Sequence, residues 1–370
     1  MRARLCPPAP SCVAAGGIRF YVRTSAFTAS KRTRVHIDRF PRIGLAHLPT
    51  PLEPMPALSR ALGGPDLWIK RDDCTGLASG GNKTRKLEFL MAQVVDARAD
   101  TVLTPGAVQS NHARQTAAAA AKLGMHCEIL LEEARHDGDE EYARSGNILI
   151  DRLCGARIHL YPKDTDLDAE MAALGKSLRD AGKRPYAIPV GGSNAVGALG
   201  YANCAAELLS QSRATGQDID LVVHASASAG TQAGLVAGFH ALEANVPVLG
   251  ICVSRAADAQ EEMVRSLAGE TLALLGTAAA LPRERVQANG DYVGEGYGIP
   301  TAGMIEAVEL VARSEGILLD PVYSGKAMAG LIDLLRTGRV EHCRNIVFVH
   351  TGGAVALFAY RSTFDRHGGG

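Results

Sequence analysis

The sequence predicts an α/β protein built on parallel strands, and three observations carry that expectation. From residue 100 onward, short apolar runs alternate with longer helical stretches, the pattern of strands whose connecting helices cover a sheet. The 370-residue length exceeds the size at which a single core keeps growing, so two domains are expected. Glycine-containing loops recur directly after the apolar runs, at the carboxyl ends of strands, where such proteins place their ligands.

The elements follow in chain order. Leu87, Leu90, Met91 and Val94 recur at helical spacing and form one apolar face, opened by Gly80-Gly81-Asn82-Lys83. Lys83 lies one turn before Leu87 and leans toward that face, while Arg85 points nearly opposite. Residues 101–104 read as a strand, then a loop containing Gly106, then a helix over 111–123. Strands follow at 126–131, 158–161 and 186–189, with helical patterns at 146–154 and 167–181 between them. The second half repeats the style with a strand at 221–224, a helix at 231–242 and a strand at 248–253. Residues 346–350 form a last buried-strand run that stops at Gly352-Gly353. The glycine pair at 191–192 marks a change of domain.

Composition excludes several classes. The 39 basic residues balance 39 acidic ones, so no global field favours nucleic acid or an anionic membrane surface. No apolar run reaches the roughly 18 residues of a membrane span. The eight cysteines are scattered, with no CxxC pair and no histidine cluster at ligand spacing, so no metal is expected and a reducing compartment is. Residues 1–36 are rich in Arg, Ser and Thr and carry no acid, which suits a transit peptide, a mis-assigned upstream start or a disordered tail. The expectation is a cytoplasmic protein, with a mitochondrial one as the alternative.

Four loops carry the chemistry. A lysine held against apolar surface has its charged form disfavoured, which leaves the nucleophilic amine that Schiff-base chemistry with an aldehyde cofactor requires. Lys83 fits that description, though a stem snorkelling along the helix fits it too. Gln109-Ser110-Asn111-His112 opens a helix whose free N–H groups suit a substrate carboxylate, and capping by Ser110 accounts for the same residues. Ser226 to Gly234 runs from strand to helix through small residues, where backbone amides with Ser228 and Thr231 suit a phosphate. Lacking a P-loop lysine and any GxGxxG, it argues against a nucleotide-binding oxidoreductase. Thr351 in the fourth loop presents a neutral hydroxyl to a ring nitrogen or caps the turn. Tyr297 and Tyr323 are candidate proton relays if their pKa values are lowered, or packed rings.

Together these stretches resemble the D-cysteine desulfhydrase / 1-aminocyclopropane-1-carboxylate deaminase family of pyridoxal-phosphate enzymes. The resemblance runs from about Pro49 to Tyr360. It rests on Leu48-Pro49-Thr50-Pro51-Leu52-Glu53, Lys70-Arg71-Asp72-Asp73, the Lys83 run, the Ser110 run, the loop at 228–234, Asp320-Pro321-Val322-Tyr323 and His350-Thr351-Gly352-Gly353 in that order. It implies the tryptophan-synthase-β-like fold (fold type II), two three-layer α/β domains with the active site between them. Residues 37–85 plus 195–370 would form the larger, cofactor-binding domain, and 86–194 a smaller inserted one.

The resemblance also implies pyridoxal 5'-phosphate as cofactor, an amino-acid substrate and a homodimer. Lys83 would carry the cofactor, Asn111 would bond its phenolic oxygen, Ser228, Ala229, Gly230 and Thr231 would hold its phosphate, and Thr351 would face its ring nitrogen. Ser110, with Asn111 and His112, would take the substrate carboxylate, and Tyr297, Tyr323 and Ser324 would line the substrate side. Family members that open the cyclopropane ring carry Glu after the tyrosine of the Asp-Pro-Val-Tyr run, where this chain has Ser324, so α,β-elimination of a sulfur amino acid is expected instead. The runs at 72–77, 294–300 and 351–358 are most similar to the L-cysteate sulfo-lyases, which makes L-cysteate the leading substrate, with release of pyruvate, ammonia and sulfite. D-cysteine, with sulfide released, is the alternative, and ring opening a more distant one. A protein that only carries the cofactor is the non-enzyme alternative.

Overall fold

A computed structural model of the chain describes residues 37–133, 140–277 and 279–365, with the backbone of 12–15 and 18–21. The expectations for residues 1–36 otherwise lie outside the described residues. The strands are β1 (Cys12–Ala15), β2 (Ile18–Tyr21), β3 (Leu52–Pro54), β4 (Asp66–Arg71), β5 (Thr101–Ala107), β6 (His126–Glu132), β7 (Arg157–Tyr161), β8 (Pro185–Ala187), β9 (Leu221–Ser226), β10 (Val248–Cys252), β11 (Gln287–Asn289) and β12 (Asn345–His350). The helices are α1 (Pro56–Leu62), α2 (Lys83–Asp96), α3 (Asn111–Lys122), α4 (Glu140–Arg144), α5 (Asn147–Leu153), α6 (Leu167–Asp180), α7 (Ala195–Thr215), α8 (Gly230–Ala241), α9 (Ala257–Leu275), α10 (Ala302–Glu315), α11 (Ser324–Arg336) and α12 (Arg361–Asp365).

Two larger sheets result. The first runs β11-β10-β9-β12-β4-β3, parallel throughout except for the antiparallel edge strand β3. The second, β7-β6-β5-β8, is parallel and is made wholly from residues 101–187. Successive side chains of a strand alternate between faces, and in β12 Val347 and Val349 enter one core while Ile346 and Phe348 enter the other. The first core is completed by α7, α8 and α9, the second by α1, α10 and α11, which gives three layers. In the smaller sheet Val102 faces the core shared with α2 and α3, whereas Leu103 turns toward Gly175 of α6.

Helix starts and stops are encoded locally. Ser110 caps α3, Asn194 caps α7 and Thr301 caps α10, each side chain accepting from a backbone N–H three residues on. α7, α9 and α10 end on the left-handed glycines Gly216, Gly276 and Gly316. The boundary expected between residues 85 and 86 falls inside α2, a helix buried continuously from Thr84 to Ala92. Arg85, expected opposite the apolar face, is only 1% exposed. It donates to both oxygens of Asp72 at 2.8 Å and to Glu207 at 3.0 and 3.1 Å, and the Tyr201 hydroxyl donates to Asp72 at 2.5 Å. This ion cluster ties α2 to the turn that follows β4 and to α7.

Candidate active site

The segments that follow β4, β5, β9 and β12 converge on one small cleft, part of it open to solvent. Lys83, Asn111, Ser228, Ala229, Thr231, Tyr323 and Thr351, all expected from the sequence, line it.

Lys83 is delivered by an unusual piece of backbone. Ala78, Ser79, Gly80 and Gly81 all have positive φ, at 43°, 70°, 70° and 129°. For Ala78 and Ser79 that region is costly and persists only where surroundings enforce it. Two neighbours on α3 do so. Arg114 donates to the carbonyls of Ala78 and Gly80, the latter at 3.0 Å, and its Nε to Asn147 at 2.7 Å. Gln115 accepts from the Thr84 N–H at 2.8 Å and the Thr84 hydroxyl at 2.9 Å, while its Nε2 donates to the Asn111 carbonyl at 2.8 Å. One amide thus sets the register between the start of α2, with Lys83, and the start of α3, with Asn111. Among the described residues the Lys83 Nζ has no hydrogen-bond partner; burial lowers its pKa to about 8 against the opposing charge of Asp320.

The second wall is a cradle at the start of α8. Ala229, at φ 66°, caps this helix, whose first N–H groups have no intrahelical acceptor. The Ser193 hydroxyl donates to Ser228 at 2.9 Å and accepts from the Gly230 N–H at 3.3 Å. Lys86, fully buried, donates to the Gly191 carbonyl and the Ser193 hydroxyl, both at 3.1 Å. Burial, then the charge of Lys83, holds its pKa well below the usual lysine value. Asn82 donates to the Thr231 hydroxyl at 3.0 Å. Gly191, at φ 66°, admits no side chain, because a Cβ there would lie 2.2 Å from the Ser228 hydroxyl.

On the substrate side the structure corrects several expectations. The Ser110 hydroxyl caps its own helix, accepting from the Ala113 N–H at 3.1 Å, and keeps its O–H to donate. His112 points away from the cavity: the Thr104 hydroxyl donates to the Ile188 carbonyl at 3.0 Å, so at 2.8 Å it must accept from Nε2–H of a neutral His112. Burial, then the charges of Lys83 and Lys86, holds that ring neutral. Ser324 is fully buried and serves as the partner of Asp320, donating to it at 2.6 Å and accepting from its N–H at 2.8 Å. It does not line the cavity. Tyr297 stands behind Tyr323, hydroxyl to hydroxyl at 2.5 Å. Burial raises the pKa of both phenols rather than lowering it, so the pair is held protonated.

The residues fit a phosphate-bearing aldehyde. One end of the Asn111 amide, its Oδ1, is buried in the cavity wall with no partner. The amine of Lys83 is uncommitted, and the helix start is closed to side chains but open to an anion. Asn82, Lys86, Gln115, Ser193 and Asp320 belong to this machinery and were not expected in it. The signal for Ser193 lies in the glycine pair at 191–192, whose freedom serves a close approach to Ser228. Lys86 and Gln115 carry no local signal.

Comparison with known proteins agrees with the geometry. Residues 43–352 match the family described as pyridoxal-phosphate dependent enzyme. A D-cysteine desulfhydrase of Salmonella schwarzengrund is 48% identical over 325 residues, 88% of this chain and 98% of that protein. The crystal structure of an ACC deaminase homologue superposes with a TM-score of 0.80 at 36% identity, covering 89% of this chain and 97% of that one. A fungal L-serine ammonia-lyase from Rhizomucor miehei shares the fold at a TM-score of 0.61 and 18% identity, covering 87% of this chain and 98% of that one. The name carried by the Salmonella relative is that of the alternative substrate, and L-cysteate finds no support there. Nor does the mitochondrial alternative. No described helix is long and apolar enough to cross a membrane.

Proposed function

The chain belongs to the pyridoxal-phosphate dependent enzymes, with their tryptophan-synthase-β-like, fold type II architecture, and from that premise we propose that it is a carbon–sulfur lyase converting D-cysteine and water to pyruvate, ammonia and sulfide. The observation that carries the substrate is the 48% identity to a D-cysteine desulfhydrase across nearly the whole of both sequences. The cavity adds to it. A second anionic group, such as a sulfonate, asks for a second cation, and Lys83 is the only cationic side chain among the described residues that line the cavity.

Lys83, Asn111, Thr351 and the 228–231 cradle would hold pyridoxal phosphate, which would supply an electron sink for charge developing at Cα. The chain's residues do the rest. N–H groups at the start of α3 take the substrate carboxylate, with Ser110 shaping that turn. Lys83, whose amine burial makes easier to deprotonate, removes the proton at Cα. Tyr323, kept protonated by burial, gives its proton to the departing sulfur, and the hydrogen bond with Tyr297 makes that loss easier by opposing the rise that burial causes. We keep a homodimer as part of this reading; a single peak at twice the chain mass in size-exclusion chromatography checks it.

Purified protein with added cofactor, offered D-cysteine, L-cysteine, L-cysteate and 1-aminocyclopropane-1-carboxylate in parallel, tests the reading. Sulfide and pyruvate from D-cysteine as the fastest reaction support it. Faster sulfite release from L-cysteate, or 2-oxobutyrate from the cyclopropane substrate, would overturn the substrate assignment.

A further inference from the structure

Lys326 is a fully buried cation that the chemistry above does not use. It lies one turn into α11, three residues after Tyr323, and among the described residues no carboxylate pairs with it. Its Nζ donates to the carbonyls of Val293 at 2.6 Å and Gly296 at 2.8 Å. Both acceptors belong to the segment that carries Tyr297, residues 290–300, which contains no helix or strand and bends through Gly294, Gly296 and Gly298 at φ 68°, 156° and 73°. Such backbone does not hold a side chain in place unaided.

The remaining ties of the segment run the same way. Its Tyr292 hydroxyl donates to Asp333, also on α11, at 2.6 Å, and the Gly298 carbonyl accepts from Tyr360 at 2.8 Å. α11 and its cap residue therefore present three fixed points: Asp333 under Tyr292, Lys326 under Val293 and Gly296, and the cap Tyr323 against Tyr297. Burying an unpaired ammonium is costly and ordinarily selected against. Desolvation lowers the Lys326 pKa to about 8, and the neutral amine keeps two N–H groups for two carbonyls. The bonds thus survive on either side of its titration.

We propose that Lys326 is a positioning residue that holds Tyr297 against Tyr323, so that the two phenols act as one proton donor to the leaving group. The proposal rests on the reading of that pair as the acid, and it is tested apart from turnover. The groups that face the Tyr297 phenol are Tyr323, Tyr142 and Tyr360, and Tyr323 in turn faces Asp320.

The experiment is an ultraviolet tyrosinate titration of the holoenzyme and of Lys326→Met, each as a difference against the same protein carrying Tyr297→Phe. In the native enzyme the Tyr297 signal stays protonated beyond the ordinary phenol value of about 10; in Lys326→Met it falls to about 10 or below. Alongside, kcat for D-cysteine drops roughly ten- to hundredfold with KM changed less than about threefold, as expected when an acid is misplaced rather than a binding group lost. A Lys326→Met protein with a lower melting temperature but an unmoved Tyr297 titration would overturn the proposal, leaving the lysine a purely structural tie. If Lys326→Met does not fold, Lys326→Gln, whose shorter amide cannot reach both carbonyls, must show the same shift in smaller measure, and no shift again overturns it. A native enzyme inactive on D-cysteine would remove the proposed substrate while leaving the phenol titration to judge Lys326.

Discussion

A buried amine with a pKa near 8 is half neutral where an exposed lysine is almost wholly charged, and Lys83 is such an amine. Because its pKa is lowered, the base form grows as pH rises through that value. We expect kcat to climb through about pH 8 and level off above it, and a profile that is flat across this range would remove Lys83 as the base. Lys83→Ala should abolish both turnover and the visible absorption of bound cofactor. Tyr323→Phe should keep the absorption and lose about 10²–10³ in kcat, read from pyruvate release. Lys83 was legible in the sequence because a glycine pair and a helical period both point to it. His112 and Ser324 were misjudged because a motif lists neighbours without showing which way each turns. Thr104 claims the first and Asp320 the second, from eight residues upstream and four upstream respectively.

At the scale of the element, the site is the meeting of three helix starts, α2, α3 and α8, each in a fixed relation to the others. The α3–α2 relation runs through the Gln115 amide. Gln115→Leu would leave the buried Thr84 N–H only its 3.2 Å bond to the Gly81 carbonyl and take an acceptor from the Thr84 hydroxyl, an expected cost of about 1–3 kcal/mol in all, and chemical denaturation would read it. The α8 relation runs through Gly191. Gly191→Ala forces a Cβ into the Ser228 hydroxyl, so cofactor affinity should fall at least tenfold, about 1.4 kcal/mol, in an absorbance titration with the fold retained. Strands such as β9, β10 and β12 were legible as continuous apolar runs, the mark of sheets covered on both faces. β4 was not, because Lys70 and Arg71 end it in charge, and Lys70 is fully buried only through its bonds to Glu207, Gln211 and the Thr50 carbonyl. α7 has no clear period because it is packed all round: a Cβ on Gly200 would lie 2.4 Å from the Arg85 carbonyl, and one on Gly197 2.0 Å from that of Gly192.

For the molecule as a whole, the buried ions of Asp72, Arg85 and Glu207 carry the main electrostatic stake. Desolvation, the largest single influence, would raise the two carboxyls, but Arg85 together with Lys70, and at Asp72 the Tyr201 hydroxyl, outweighs it and holds both below the usual carboxylate range. Their contribution is therefore complete above the unfolded values of about 4 and is lost as pH falls through the folded ones, so acid unfolding should be steep below about pH 4. Arg85→Met, which leaves Asp72 only the hydroxyls of Tyr201 and Thr50 and Glu207 only the ammonium of Lys70 as a cation in contact, should cost about 3–5 kcal/mol and move the acid transition to higher pH, as circular dichroism would show. The order of strands in the larger sheet reaches further. β12 sits between β4 and β9 although it follows both by far in the chain, and Thr351 comes directly after it. A growing polypeptide thus holds Lys83 and the α8 cradle long before the strand that must separate β4 from β9 has been made. Vitamin-derived cofactor offered to the ribosome-bound chain would find walls without a room, and the capacity to take it up arrives in a single late event, when the final strand slots into the middle of the sheet.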